Sequence, residues 1–209
     1  AYLAQSNAPA GSMPMAKARD TIAFARMMMN DGVAANGTPV LTAESVQEMH
    51  LRSVALPSGM TIDAIGLATF LWDWNGDQHY EVFGHDGSTI GQAAWLRYHT
   101  ESETAVALLT NGGNGKGLAD DLLREIFSQA AGIAPPEPPA PSREGRPEPA
   151  RLLGRYGKAS GTIDVIEKDG ALVAVHTPTA EFAALQGTYA VELQPVTETV
   201  FLGTVPGYT

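Results

Sequence analysis

Apolar positions at the front of the chain recur at helical spacing. Over 21–30, Ile22, Phe24, Ala25, Met28 and Met29 fall on or near one face, and Gly32 follows as a stop signal, which predicts an amphipathic helix. Thr42-Ala43-Glu44-Ser45 opens a shorter one, with Thr42 as N-cap and Val46 and Met49 on one side. The Met27-Met28-Met29 run reads as core filling, because methionine adapts to irregular gaps. From Ile65 the period changes to two. Segments 66–72, 80–83, 92–98 and 105–110 predict strands, parted by turn-rich pieces such as Asn75-Gly76-Asp77. Short connections between consecutive strands imply an antiparallel meander. Segment 118–131 then places Leu122, Leu123, Ile126 and Phe127 on one face, predicting a helix that covers the sheet.

Between Pro135 and Pro149, seven of fifteen residues are proline. A stretch so poor in amide donors favours extended backbone and acts as a semi-rigid spacer. The expected organisation is α+β: residues 1–133 as an antiparallel sheet flanked by helices, 134–150 as a proline-rich linker, and 151–209 as a small all-β accessory domain. In that tail, 162–166 and 171–175 flank Lys168-Asp169-Gly170, a strong hairpin signal, and 190–196 and 200–205 add two strands. So few strands do not close a barrel, so the tail is expected to be incomplete or completed by another segment.

The chain has 209 residues and a formal charge of −10, from 13 Lys and Arg against 23 Asp and Glu. No basic face is available, so nucleic acid and anionic membrane surfaces are not expected partners. Cysteine is absent, which removes disulfides, thiolate nucleophiles and thiolate metal ligands. No apolar run approaches the ~20 residues that span a bilayer. The chain opens on Ala1-Tyr2-Leu3 with no visible signal peptide and reads as a processed polypeptide. Localisation stays open, since an export signal would precede Ala1.

The richest chemistry lies in Phe83-Gly84-His85-Asp86-Gly87-Ser88-Thr89-Ile90-Gly91. Glycines let backbone amides approach a ligand, and His85 offers a proton donor or acceptor. By composition alone the string reads as a hairpin turn; by position it suits an oxyanion site. The remaining histidines carry blander readings. His50 ends a short helix, where a cation suits the macrodipole, His79 and His99 sit in or beside turns, and His176 ends a strand. Trp72 and Trp74 bracket Asp73 as core or cleft wall. Residues 112–117 are glycine-rich before a helix but lack the spacing of a phosphate loop. With no HExxH and no histidine pair at helical spacing, neither metal nor cofactor is expected.

Five pieces in order resemble one family. They are Ala8-Pro9-Ala10-Gly11-Ser12-Met13 with Ala18-Arg19-Asp20, Leu41-Thr42-Ala43-Glu44-Ser45-Val46 with Met49, Gly66-Leu67-Ala68, Gly84-His85-Asp86-Gly87, and 106–112. Together they are similar to serine hydrolases of the β-lactamase and D-alanyl-D-alanine carboxypeptidase type, especially the class C β-lactamase-related esterases and peptidases. That resemblance implies a β-lactamase/transpeptidase-like fold, present in part. It makes His85-Asp86-Gly87 the third active-site element on a rim strand. His85 would polarise or protonate the reacting centre, the Ser88 amide would supply half of the oxyanion hole, and Asp86, Gly87, Thr89 and Asn111 would contact substrate. By composition alone Asn111 reads first as a strand-end turn residue.

The departures are as specific as the matches. No serine has lysine three residues on; Ser12 is followed by Lys17 five residues later, and Tyr2 lacks an asparagine partner. The expectation is therefore the C-terminal portion of such a hydrolase, acting through an acyl-enzyme on a small-molecule or peptide substrate. Its nucleophile would come from a missing N-terminal segment or a companion chain bearing Ser-x-x-Lys. The alternative is a non-catalytic binding or regulatory module that keeps the hydrolase sheet. The tail, from Leu152-Leu153-Gly154-Arg155-Tyr156-Gly157 onward, resembles the β-rich accessory domains of the same family.

Overall fold

The computed structural model describes residues 15–77, 79–89, 91–142, 148–184 and 187–203. Two compact units divide the chain: Ala1–Leu56 with Ile62–Glu137, and Pro57–Thr61 with Pro138–Thr209. The motif residues Tyr2 and Ala8 to Met13 lie outside the described residues.

In the first unit, helix α1 spans Ala18–Met29, and the Lys17 amide donates to Asp20 Oδ2 at 2.9 Å in its first turn. Ala25, Met27 and Met28 are buried, whereas Phe24, expected on the inner face, is 44% exposed. The methionine run therefore does the filling. Helix α2, Ala43–His50, starts at Thr42, whose Oγ1 accepts from the Ser45 amide at 3.2 Å and so satisfies one of the first-turn donors. Helix α3, Gly115–Ala131, starts three residues before the expected point because Asn114 Oδ1 caps the Gly117 amide at 3.0 Å. It ends at Gly132, whose φ of 70° is the left-handed conformation that helix termini favour.

Between the helices lies a six-stranded antiparallel meander, ordered β1 (Val54–Ala55), β2 (Ala64–Ile65), β3 (Phe70–Trp72), β4 (Val82–Thr89), β5 (Gln92–His99) and β6 (Thr104–Thr110). One sequence expectation needs correction. Residues 66–72 are not a single strand: the Gly66 amide donates to the Thr69 carbonyl at 2.8 Å, and Ala68 turns at φ 53°, so the segment folds into the β2–β3 connection. β1 was not expected at all. Its two residues are both exposed, so no alternation announces it.

Period-two alternation gives the sheet two different faces. On one, Leu71, Phe83, Leu96 and Tyr98 join Ala25, Met27, Met28 and Val46 in a continuous core. On the other, a Cβ at Gly115 would come within 2.9 Å of the Trp95 ring, and Phe127 meets Trp74 edge-on with centroids 5.0 Å apart. Thus α1 and α2 cover one face and α3 the other, a three-layer solution to burying both sides of a sheet.

His50 illustrates what burial does to chemistry. Its ring stacks on Phe83 at 3.9 Å, and Nε2 lies 2.8 Å from the Tyr98 hydroxyl. Desolvation lowers its pKa from 6.5 to about 4, against a smaller opposing pull from Asp31. The helix-terminus cation expected from sequence is therefore a neutral core imidazole.

In the second unit, β10 (Tyr189–Glu192), β9 (Ala171–Pro178), β8 (Gly161–Lys168) and β7 (Gly154–Lys158) form a four-stranded antiparallel sheet in that order. The β8–β9 turn has φ of 52° at Asp169 and 78° at Gly170, the paired positive values that make Asp-Gly a hairpin turn. β11 (Gln194–Pro195) and β12 (Phe201–Leu202) form a separate ribbon. The expected strand 200–205 reaches beyond the described residues, which end at Gly203.

Two predictions follow from packing and protonation. An added Cβ at Gly84 would collide with the Leu96 carbonyl, whereas one at Gly87 would meet nothing within 4 Å. Gly84→Ala is expected to lower unfolding free energy by about 2 kcal/mol or more, and Gly87→Ala to change it by less than about 0.5 kcal/mol, by denaturant titration. For His50, the unfolded chain takes up a proton between pH 6.5 and about 4 that the folded chain refuses. Stability is complete above that window and falls with decreasing pH through it, by no more than about 2 kcal/mol after allowance for screening. A His50→Gln variant should flatten this part of the pH–melting curve.

Candidate active site

The active-site expectation centres on one strand. β4 pairs with β5 over its whole length, from Val82↔His99 to Thr89↔Gln92. His85-Asp86-Gly87-Ser88 is therefore strand, and the reading of this string as a turn is corrected. On its other side β4 meets β3 only over Val82, Phe83 and Gly84. From His85 onward that edge is unpaired among the described residues.

A free edge exposes alternate backbone groups, and register decides which. Thr89 and Gln92 face each other across a two-residue connection, so their polar groups point at one another. Stepping back by twos, Gly87 and His85 also turn their backbone toward β5, and the amides of Asp86 and Ser88 point outward. The Ser88 amide thus lies on the open edge that an oxyanion donor needs.

Side chains alternate in the opposite sense. His85 is exposed, sits opposite Leu96 in register, and its ring stacks on Phe70 with centroids 4.1 Å apart. Nδ1 lies 2.5 Å from the Asp86 carbonyl oxygen. A carbonyl only accepts, so this contact places the proton on Nδ1 and leaves Nε2 as the basic nitrogen of the neutral ring. Nε2 has no hydrogen-bond partner among the described residues.

Asp86 does not join His85. Its carboxylate is held by both Arg97 terminal nitrogens, at 2.5 and 3.1 Å, on the side of the sheet that carries Trp72. Arg97 is buried, donates again to the Leu96 carbonyl at 2.8 Å, and lies 3.7 Å from the Trp72 ring centroid. The Asp86 side chain, expected to contact substrate, is instead half of a structural ion pair; its backbone remains at the edge. Gly87 is exposed beneath open space. Thr89 ends β4, and its side chain lies outside what is described. Asn111 follows β6, at the end of the sheet where Ser88, Ala93 and Thr110 align, two strand spacings or about 10 Å from β4. It lies at the same end as Ser88 without touching it.

Sequence reasoning missed Arg97 and Phe70. A signal existed for the first: a cation inside Trp95-Leu96-Arg97-Tyr98 is a charge in an apolar strand and needs a carboxylate partner. Phe70 had no comparable signal. Elsewhere, a groove of about 510 Å³ in the second unit is bordered by Ser142, Leu172, Glu192, Gln194, Pro195 and Phe201.

Asp86→Asn should cost about 2–3 kcal/mol in equilibrium denaturation, because the buried Arg97 keeps its charge and loses its anionic partner. A residue that only touched substrate would leave the midpoint unchanged.

No family model matches the chain. Penicillin-binding protein 4 of Amycolatopsis lactamdurans is 38% identical over 162 residues, which are 76% of this chain and 42% of that protein. The solved structures of SurE with D-Leu and of SurE align with TM-scores of 0.61 and 0.59 at 21% identity, over 90% and 91% of this chain and 41% and 40% of theirs. At that identity they show a shared fold. The chain spans less than half the length of the relatives it matches. The sequence match to that penicillin-binding protein runs over three quarters of the chain.

Proposed function

We propose that this chain is the part of a β-lactamase-related serine hydrolase that supplies the third active-site element. One observation supports the reading: past Gly84 the edge of β4 is unpaired among the described residues, and strand register turns the Ser88 amide outward there, near a histidine whose Nε2 has no hydrogen-bond partner among them. The nucleophilic serine, its lysine and a tyrosine belong to sequence outside these 209 residues or to a companion chain, since no serine here has lysine at the third following position.

Acyl transfer would proceed in two displacements. The serine oxygen attacks the substrate carbonyl carbon and gives its proton to the upstream base, while the carbonyl π electrons move to oxygen. The Ser88 amide and the nucleophile's own amide donate to that oxyanion. The carbon–leaving group bond then breaks, with a proton delivered to the departing atom. Water attacks the acyl-enzyme by the same route and restores the serine. His85 Nε2 borders this path as a hydrogen-bond acceptor and proton-accepting base in the neutral ring, and donates to a substrate carboxylate or carbonyl, or to the leaving group, only in the imidazolium form.

The substrate class is an ester, a D-amino-acid peptide or a β-lactam. The relative's name, penicillin-binding, and the structural neighbour's D-Leu both fall in that range. The all-β unit from residue 151 onward would serve as an accessory domain.

A fluorescent penicillin or a fluorophosphonate tests the reading. This chain alone should remain unlabelled, and a polypeptide joining it to a Ser-x-x-Lys segment should be covalently labelled. In that longer protein His85→Ala should lower acyl-transfer turnover by about 100-fold. Absence of labelling in the joined protein would favour the non-catalytic binding module, a reading supported by the lack of a nucleophile in this sequence.

A further inference from the structure

The loop from β3 to β4 folds three carboxylates onto one point. Asp73 Oδ1 accepts from the amides of Gly76 at 2.7 Å and Asp77 at 3.2 Å, which curls the chain back on itself. Asp77 Oδ1 accepts from the His79 amide at 2.9 Å. Glu81 closes the loop: its Oε1 accepts from Trp74 and Asn75 at 2.9 and 3.1 Å. One oxygen from each of Asp73, Asp77 and Glu81 lies within 4.8 Å of the others.

The decisive group is Glu81. The residue is only 7% exposed, and its Oε2 is fully buried with no hydrogen-bond partner. A buried carboxylate oxygen without a partner is costly, and beside two further carboxylates the cost rises. Either a proton or a cation removes it. Asp77 is exposed at the rim, so the cluster has an entrance from solvent.

We infer that Asp73, Asp77 and Glu81 form a binding site for a hard divalent cation, calcium in the first instance. The donors are all oxygen, with no imidazole or thiolate in the cluster, which selects against zinc and copper. Calcium takes about six to eight oxygens in adaptable geometry, so three carboxylates on an irregular loop, completed by water, suit it better than the strict octahedron of magnesium. The three carboxylates follow one another at four-residue intervals, but they lie on a turn-rich loop with no histidine among them, so the sequence reading, which looked for histidine motifs, expected no metal. The site stands apart from the proposed hydrolase chemistry. Its effect would be to fix the entry into β4, the strand that carries His85.

Terbium, which replaces calcium at oxygen sites and emits when a nearby indole is excited, reads the site directly through Trp74. The full chain is titrated with terbium chloride and then with calcium chloride. Saturable emission displaced by calcium is expected, together with a melting temperature that calcium raises by several degrees. Asp77→Asn, an exposed change that leaves the loop amides alone, should weaken terbium binding about tenfold or more and remove the calcium-dependent shift. Glu81→Gln should abolish both. No saturable emission, or emission and melting shift unaltered in Asp77→Asn, would overturn the inference and leave Glu81 as a buried protonated acid.

Discussion

A buried guanidinium must find acceptors, and the way Arg97 finds them organises the front unit. From β5 it reaches back to the Leu96 carbonyl, across to the Asp86 carboxylate on β4, and over the face of Trp72 on β3. Three strands are thereby joined by one side chain close to the place where β3 stops pairing with β4. A fork that bonds a carboxylate through two nitrogens also fixes orientation. Arg97 holds Asp86 on the Trp72 side, the neighbouring His85 ring stacks on Phe70 at the end of β3, and backbone alternation leaves the Ser88 amide at the edge. The chemistry proposed for this strand is thus a consequence of satisfying a charge that takes no part in it.

Close backbone approach does the complementary work. Gly84 lies opposite Arg97 with no room for a Cβ against Leu96, whereas Gly87, three residues on, faces open space. The two glycines of one motif therefore answer different requirements, one from the sheet and the other from whatever occupies the edge. Where β3 gives way, the loop through Asp73, Asp77 and Glu81 carries the opposite electrostatic situation: acids gathered with no cation paired to Glu81 among the described residues. Burial, reinforced by Asp73 and Asp77, pushes the Glu81 carboxyl up from its ordinary range, although its bonds to Trp74 and Asn75 pull it down. An anion held this way exerts a steady demand for a positive partner.

Much of the architecture was legible in the residues. Thr42 as a cap, the methionine run as filler, the Asp169-Gly170 turn and the antiparallel meander each depend on contacts within a few positions, which is the range that period and propensity report. The errors cluster where a long-range contact overrides a local one. Residues 66–72 alternate like a strand but bend at Ala68. The His85 string has turn composition yet pairs fully with β5. His50 looks like a helix-end cation until Phe83 and Tyr98 cover it.

The sequence by itself determined most of the elements and their antiparallel order, because hydrophobic period and turn residues are properties of neighbours along the chain. Only the tertiary structure decided which of His85, Asp86 and Ser88 face the edge, that Asp86 belongs to Arg97, and that three acids of one loop converge with Glu81 buried. Those outcomes depend on strand register and on the desolvation of charge, and neither exists until separate segments meet.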